Sequence, residues 1–261
     1  MKKKILLISF LFSVNIIPLS VADKTRQVSP GTCTDKTHNF HADLDSVEIF
    51  EYKIRSVYDS VKLSGIIDYS VFRKAYIGYS NMFSRLDNMN ILTVIDYSLP
   101  SSVKRMAVID ILNRKLLWHT YVAHGRKTGG MYAESFSNEA GSGKSSIGFF
   151  ITAETYTGRY GYSLRLDGLE HTNSNSRSRA IVLHGAEYVN ADYISENGMP
   201  DGSGGCPAVS SLESRKIIDI VKGGSCLFIY YPDTAYMDLS PYLDAGKAVR
   251  RFHKDSRRGP R

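Results

Sequence analysis

Between residues 43 and 82 the apolar side chains recur at helical spacing. Leu44, Val47, Ile54, Val57, Tyr58 and Val61 fall three, four and seven apart, and Val71, Phe72, Ala75, Tyr76 and Tyr79 repeat the pattern. Each run predicts a helix with one apolar face. Asp68 or Ser70 suits the N-cap of the second, because a short oxygen-bearing side chain accepts from the unpaired amides of a first turn. Near Asn90 the period changes. Short apolar runs at 91–95, 106–111, 116–122, 147–152, 163–166, 180–183 and 225–231 are separated by polar loops rich in Gly, Ser and Asn. Such runs predict strands, and Asn113-Arg114-Lys115 between two of them predicts a hairpin. One further helix is expected over 211–222, ended by Gly223-Gly224. Many short strands with long loops predict a mainly β domain, a sandwich or a barrel, behind a short N-terminal helical segment. No internal repeat is present.

The two ends of the chain differ from this body. Lys2, Lys3 and Lys4 precede an apolar stretch from Ile5 to Ile17, and Ser20 and Ala22 sit two apart. This reads as an export signal over 1–22, cleaved after Ala22, rather than a membrane anchor. Ser9, Ser13, Asn15 and Pro18 interrupt a stretch that a spanning helix needs unbroken for about 20 residues. Residues 23–42 read as a flexible leader, 43–89 as the helical segment, 90–240 as the catalytic domain and 241–261 as a basic tail.

Charge follows the same division. The net +7 includes three cations in the signal and an excess of six in the tail from Lys247 onward, so residues 23–246 carry −2. The folded body is near neutral and has no basic stripe with interleaved aromatics, which removes nucleic acid as a partner. The tail reads as a solvated, disordered end.

Three cysteines are an odd number, which in an exported chain flags a reactive thiol or an intermolecular bridge. Cys226 lies in an apolar strand and reads as core packing. Cys33 sits in a Pro/Gly/Thr loop, and its pairing with Cys226 stays open. Cys206 is different: it stands in Gly202-Ser203-Gly204-Gly205-Cys206-Pro207-Ala208-Val209. Glycines around a thiol allow the backbone to approach a substrate and aim amides at one point, as an oxyanion site requires. A thiol needs activation because the thiolate is its nucleophilic form, and an imidazole is the common base. His184 ends the run Ile181-Val182-Leu183 and precedes Gly185, so it stands at a strand end. Cys206 and His184 are the expected nucleophile and base. Each alone also fits a structural residue; the paired glycine-rich settings favour function.

His184-Gly185 followed by Ser203-Gly204-Gly205-Cys206 resembles the His-Gly … Ser-x-Gly-Cys signature of the L,D-transpeptidases of the YkuD type. Ser145-Ser146-Ile147-Gly148-Phe149-Phe150-Ile151 resembles that family's Thr-Pro-x-Gly-x-Phe strand, with serine in place of Thr-Pro. The resemblance covers about residues 90–232 and is nearest to a divergent murein-acting branch, through Gly161-Tyr162-Ser163-Leu164-Arg165 and Gly205-Cys206-Pro207-Ala208-Val209. It implies a YkuD-like fold, no metal or organic cofactor, and peptidoglycan stem peptides as substrate in the periplasm or envelope of a bacterium. It also implies 3–3 cross-linking through a Cys206 thioester, with the Gly205 and Cys206 amides holding the oxyanion. Ser203, Gly185, Arg165 and Tyr162 are the expected substrate contacts. Two departures stand out. Gly204 occupies the place of a family histidine, leaving His184 as the base, and Ala208 replaces the usual Arg or Asn, leaving Arg165 as the candidate carboxylate anchor.

Other readings compete. Water as acceptor makes the same site an L,D-carboxypeptidase; another Cys/His murein peptidase needs the same dyad; a non-enzymatic wall-binding module needs neither. Gly141-Ser142-Gly143-Lys144-Ser145 imitates a phosphate loop, but Asn138 stands where its first glycine belongs. His119 and His124 are five apart on a strand pattern, hence on opposite faces, and read as ordinary sheet residues rather than zinc ligands.

Overall fold

The computed structural model describes residues 35–256, so the expected signal, Cys33, the leader up to residue 34 and the last five residues of the tail lie outside the described residues. The chain runs through α1 (Asp35–Val61), α2 (Tyr69–Met82), β1 (Ile91–Asp96), β2 (Met106–Asp110), β3 (Lys115–Thr120), β4 (Gly148–Gly158) and β5 (Gly161–Gly168). It continues through β6 (Val182–Ala186), α3 (Ala191–Asn197), β7 (Ala208–Ser210), α4 (Ser211–Val221), β8 (Cys226–Tyr230), α5 (Thr234–Leu239) and α6 (Ala245–Ser256). All eight strands form one sheet in the order β3-β2-β1-β8-β4-β5-β6-β7.

Its two ends nearly meet. Ala123, just past β3 at one edge, pairs with Ala208 of β7 at the other, with Ala123 N–H to Ala208 O at 2.8 Å and the reverse at 3.3 Å. Of the two expected architectures, the nearly closed barrel is the one formed. The segment that closes it, residues 123–126, also braces the loop that carries Cys206. Local chemistry and topology meet at that point.

Burial explains the central strands. All residues of β1 and β8 are buried, as strands covered on both faces require. Phe149 on β4 lies opposite Phe228 on β8, their rings stacked 4.1 Å apart at 13°. β4 runs past the expected end at Thr152 to Gly158, and its burial fades along the way. It thus forms with β5 a long hairpin leaving the core, with Arg159 and Tyr160 at its tip. β6 begins at Val182 rather than at 180, because Ala180 takes a left-handed φ of +54° that no strand accommodates.

The helical segment is built into this core. Asp68 caps α2 by accepting from Ser70 N–H at 2.7 Å. Val71, Phe72, Ala75, Tyr76 and Tyr79 are all buried, and α2 lies against β1 and β8. On α1 the buried face is Phe50, Ile54, Val57, Tyr58 and Val61, while Val47 is 43% exposed, against the expected pattern. α1 also begins at Asp35, ahead of the Asp43 that the periodicity marked.

The tail corrects a second expectation. Residues 245–256 are a helix, not a disordered end. Ala248 and Val249 are buried, Phe252 lies 5.5 Å from the Phe50 ring, and Arg251 donates to Asn81 O at 2.5 Å. The run of cations hid an apolar face at spacings of one, three and four.

Candidate active site

Cys206 sits on the loop entering β7, and His184 in the middle of β6 rather than at the expected strand end, because the strand runs on through Gly185 to Ala186 in pairing with β7. β6 and β7 pair in parallel with His184 opposite Ala208, and His184 N–H reaches Pro207 O at 3.4 Å. The register therefore sets the two candidate residues on adjoining strands, Cys206 two residues ahead of the partner of His184.

The loop is held from several sides. Ser203 Oγ donates to Cys206 O at 2.6 Å and accepts from Gly205 N–H at 3.0 Å. Ser145 Oγ donates to Gly205 O at 3.1 Å and accepts from Gly125 N–H at 2.9 Å. Ser203 N–H reaches His124 O at 3.0 Å, and Arg126 N–H reaches Ser203 O at 2.9 Å. At Gly205, φ is +123° and a Cβ would lie 2.7 Å from Lys144 O, so both backbone conformation and space demand glycine. The Gly205 amide, one of the two expected oxyanion donors, is thus engaged by Ser203. The Cys206 amide is the other.

Cys206 is 7% exposed. Its Sγ accepts from Val182 N–H at 3.5 Å and faces Ala180 O at 3.7 Å. Burial pushes the thiol pKa up, and the Val182 amide and the Arg179 charge pull it partly back.

The His184 ring has one defined hydrogen bond, between Nδ1 and Gly185 O at 2.9 Å. A carbonyl only accepts, so Nδ1 carries the proton and Nε2 of the neutral ring is a bare acceptor. Nε2 is buried and has no hydrogen-bond partner. Burial lowers the imidazole pKa, and the bond to Gly185 O opposes this in part. The Tyr160 ring, brought down by the β4–β5 hairpin, stacks on the imidazole at 4.3 Å and 18°. Burial thus favours the uncharged form of each side chain, and Sγ is turned to the backbone of 180–182.

The other expected residues divide. Ser203 is in the loop. Gly185 packs closely on α4, where a Cβ would come within 2.7 Å of Ser214 Oγ. Arg165 pairs with Glu154 at 3.2 Å and lies over the Tyr156 ring at 4.6 Å. Tyr162 is not brought to the loop: its hydroxyl donates to Asp219 Oδ1 on α4 at 2.8 Å, on the sheet face opposite His184. His119 lies on β3, but His124 is beyond it. Its Nδ1 accepts from the buried Arg105 at 2.7 Å, and burial with that cation brings its pKa down to about 4. A cleft of about 210 Å³ opens ahead of Ser203, lined by His124, Arg126, Gly129, Met199, Asp201 and Gly202.

Sequence reasoning missed Arg179, Tyr160 and the bridging role of Ser145. Arg179 lies in a Ser/Asn/Arg-rich loop stretch with no periodicity to mark it. Tyr160 is apposed to His184 only by the length of a hairpin whose outer half is polar.

No curated protein matches the chain in a search of that set. Among solved structures, it is similar to an L,D-transpeptidase from Mycobacterium smegmatis at 12% identity, covering 54% of this chain and 59% of that one, TM-score 0.35. L,D-transpeptidase 3 from Mycobacterium tuberculosis aligns at 11% identity, 54% and 61% coverage and TM-score 0.36. An L,D-transpeptidase from Xylanimonas cellulosilytica aligns at 13% identity, 54% and 60% coverage and TM-score 0.31. The alignments thus span about three fifths of those chains. A family model, the YkuD-type L,D-transpeptidase catalytic domain, matches residues 64–230, from the turn before α2 to the end of β8. With most of its length inside that match, the chain belongs to the L,D-transpeptidase catalytic domain family.

Proposed function

We propose that this protein is an exported cysteine transpeptidase that cross-links peptidoglycan stem peptides through a thioester on Cys206. The observation that carries this reading is the state of His184: Nδ1 is committed to Gly185 O, and Nε2 is bare, buried and unpartnered, on the strand paired with the one that the Cys206 loop enters. A base needs a free lone pair and a fixed tautomer, and this histidine has both.

In this reading Cys206 Sγ gives its proton to His184 Nε2 and attacks the carbonyl of the diaminopimelate L-centre of a tetrapeptide stem. The Cys206 N–H stabilises the oxyanion, since the Gly205 amide is held by Ser203. Collapse breaks the C–N bond, and terminal D-alanine leaves with the proton from His184. A side-chain amine of a neighbouring stem then attacks the thioester, loses a proton to Nε2 and releases Cys206 as thiol in a 3–3 cross-link. Residues 1–22 would direct the chain to the envelope, 43–89 and 90–240 would fold together, and the reaction would take place there.

Product analysis tests this. Residues 23–261 incubated with tetrapeptide muropeptides are expected to release D-alanine and yield a cross-linked dimer by mass spectrometry. Release with only tripeptide monomer assigns water as acceptor, the L,D-carboxypeptidase outcome. No release at all opposes both.

The pH profile follows from the same histidine. The base must be unprotonated, and burial holds its pKa below the ordinary 6.5. Lowering that pKa extends the active form toward acid, so the acid limb of kcat/KM is expected below pH 6.5. A limb at or above that value would count against His184 as base.

A further inference from the structure

Arg179 has an unusual environment for a cation. Nη1 donates to Ser137 O and Ser146 Oγ, both at 2.6 Å, and Nη2 donates to Lys144 O at 2.7 Å and Ser142 Oγ at 3.1 Å. All four acceptors are neutral, and among the described residues no carboxylate forms an ion pair with it. The guanidinium lies against the Cys206 loop, with Nη2 3.4 Å from the place a Gly205 Cβ would occupy. The next residue, Ala180, holds φ at +54° and points its carbonyl at Cys206 Sγ. A left-handed alanine is a strained conformation that the surroundings must hold in place. Here it sets the Arg179 side chain and the Sγ contact from consecutive residues.

We propose that Arg179 is a positioning residue for Cys206: it fixes residues 144–146 under Gly205 and supplies the positive charge that the thiolate faces once the proton has moved to His184. This rests on Cys206 being the nucleophile. It also answers the two departures at Gly204 and Ala208, where polar helpers expected from the family pattern are absent. The other ionisable groups whose charge reaches Cys206 are Tyr97 beyond β1 and Tyr188 beyond β6, with His184 on the neighbouring strand β6. Burial pushes both tyrosines up to about 12, so neither is charged near neutral pH. Arg179 is the charged member of the set, and its coupling to Cys206 is mutual.

The test is the pH dependence of Cys206 alkylation by iodoacetamide in the full chain, resolved by peptide mass, beside thermal melting. Arg179→Gln keeps amide donors for the carbonyls and removes the charge; Arg179→Lys keeps the charge. Arg179→Gln is expected to raise the alkylation midpoint by about one pH unit, which is roughly a tenfold smaller thiolate fraction at neutral pH. Arg179→Lys is expected to restore most of it, whether or not its melting point falls. A midpoint unchanged in Arg179→Gln overturns the proposal, and so does a lower melting point with no change of midpoint, the mark of bracing alone. A midpoint raised equally in Arg179→Lys overturns the charge assignment. Because no peptidoglycan is used, these outcomes are separate from release of D-alanine; failure of the wild-type Cys206 to alkylate at any pH overturns the nucleophile on which the proposal stands.

Discussion

Cys206→Ala is expected to reduce D-alanine release from tetrapeptide stems to background, a loss of at least about 10³-fold, while the protein melts close to the wild type. The first half follows from the proposed covalent route, because removal of a nucleophile leaves only binding and oxyanion stabilisation. The second half follows from what Sγ does in the fold. Its contacts are an amide at 3.5 Å and a carbonyl at 3.7 Å, and sulfur is a weak acceptor and a weak donor in such bonds. The loop is secured instead by Ser203, Ser145 and the strand-like pairing with 123–126. Removing Sγ should cost about 1 kcal/mol or less. Activity and stability thus separate, which a merely structural thiol would not allow. Release by Cys206→Ala at the wild-type rate would refute the nucleophile; a matching collapse in melting temperature would reassign the residue to packing. Circular dichroism melts and chromatographic quantitation of free D-alanine read the two arms on the same preparations.

The sequence disclosed this site unevenly, for physical reasons. The candidates Cys206 and His184 stood out because glycine clusters are costly in regular structure and mark places where backbone must come close. The strands at 91–95, 106–111 and 225–231 were legible because buried strands are continuous apolar runs, and the half-exposed β3 was marked by the Asn113-Arg114-Lys115 turn signal before it. β7 was not: three residues after a proline carry no period, and its place is set by pairing to β6 and to Ala123. α3 was missed although its Asn190 cap and Gly198 terminus are ordinary helix signals, because seven residues with one buried side chain have almost no apolar face. Arg165 and Tyr162 were chosen from their neighbourhood in the chain. Alternation on β5 sends Tyr162 to α4, and Glu154 on β4 takes the Arg165 charge. The cation that does border the Cys206 loop, Arg179, comes from an aperiodic segment, and only tertiary structure reveals it.

Gly78→Ala is expected to destabilise the protein by about 2 kcal/mol, a fall of roughly 4–8 °C in Tm for a domain of this size. Two effects of opposite sign meet at this position. Alanine is a better helix former than glycine by about 1 kcal/mol, so an independent helical cap would gain from the change. In the folded chain, however, a Cβ on Gly78 would lie 1.9 Å from Phe149 Cζ and 2.2 Å from Cε1. The Phe149 ring has nowhere to go: it is fully buried, stacked on Phe228 at 4.1 Å and flanked by Tyr242 at 5.7 Å. Either α2 moves off the sheet or the ring leaves its stack, and each loses more contact than the helix gains. Gly130→Ala is the control, since a Cβ there meets nothing within 4 Å and the backbone is free of positive φ. A melting point raised by Gly78→Ala would mean that the helical segment is a separate cap resting loosely on the barrel. A fall confined to Gly78→Ala would place α2 in the core that positions β4 and β8, and through β4 the hairpin whose Tyr160 covers His184. The same variant then makes a functional statement: with α2 displaced, loss of D-alanine release should follow the loss of Tm, because the stack on His184 depends on the strand beneath the helix.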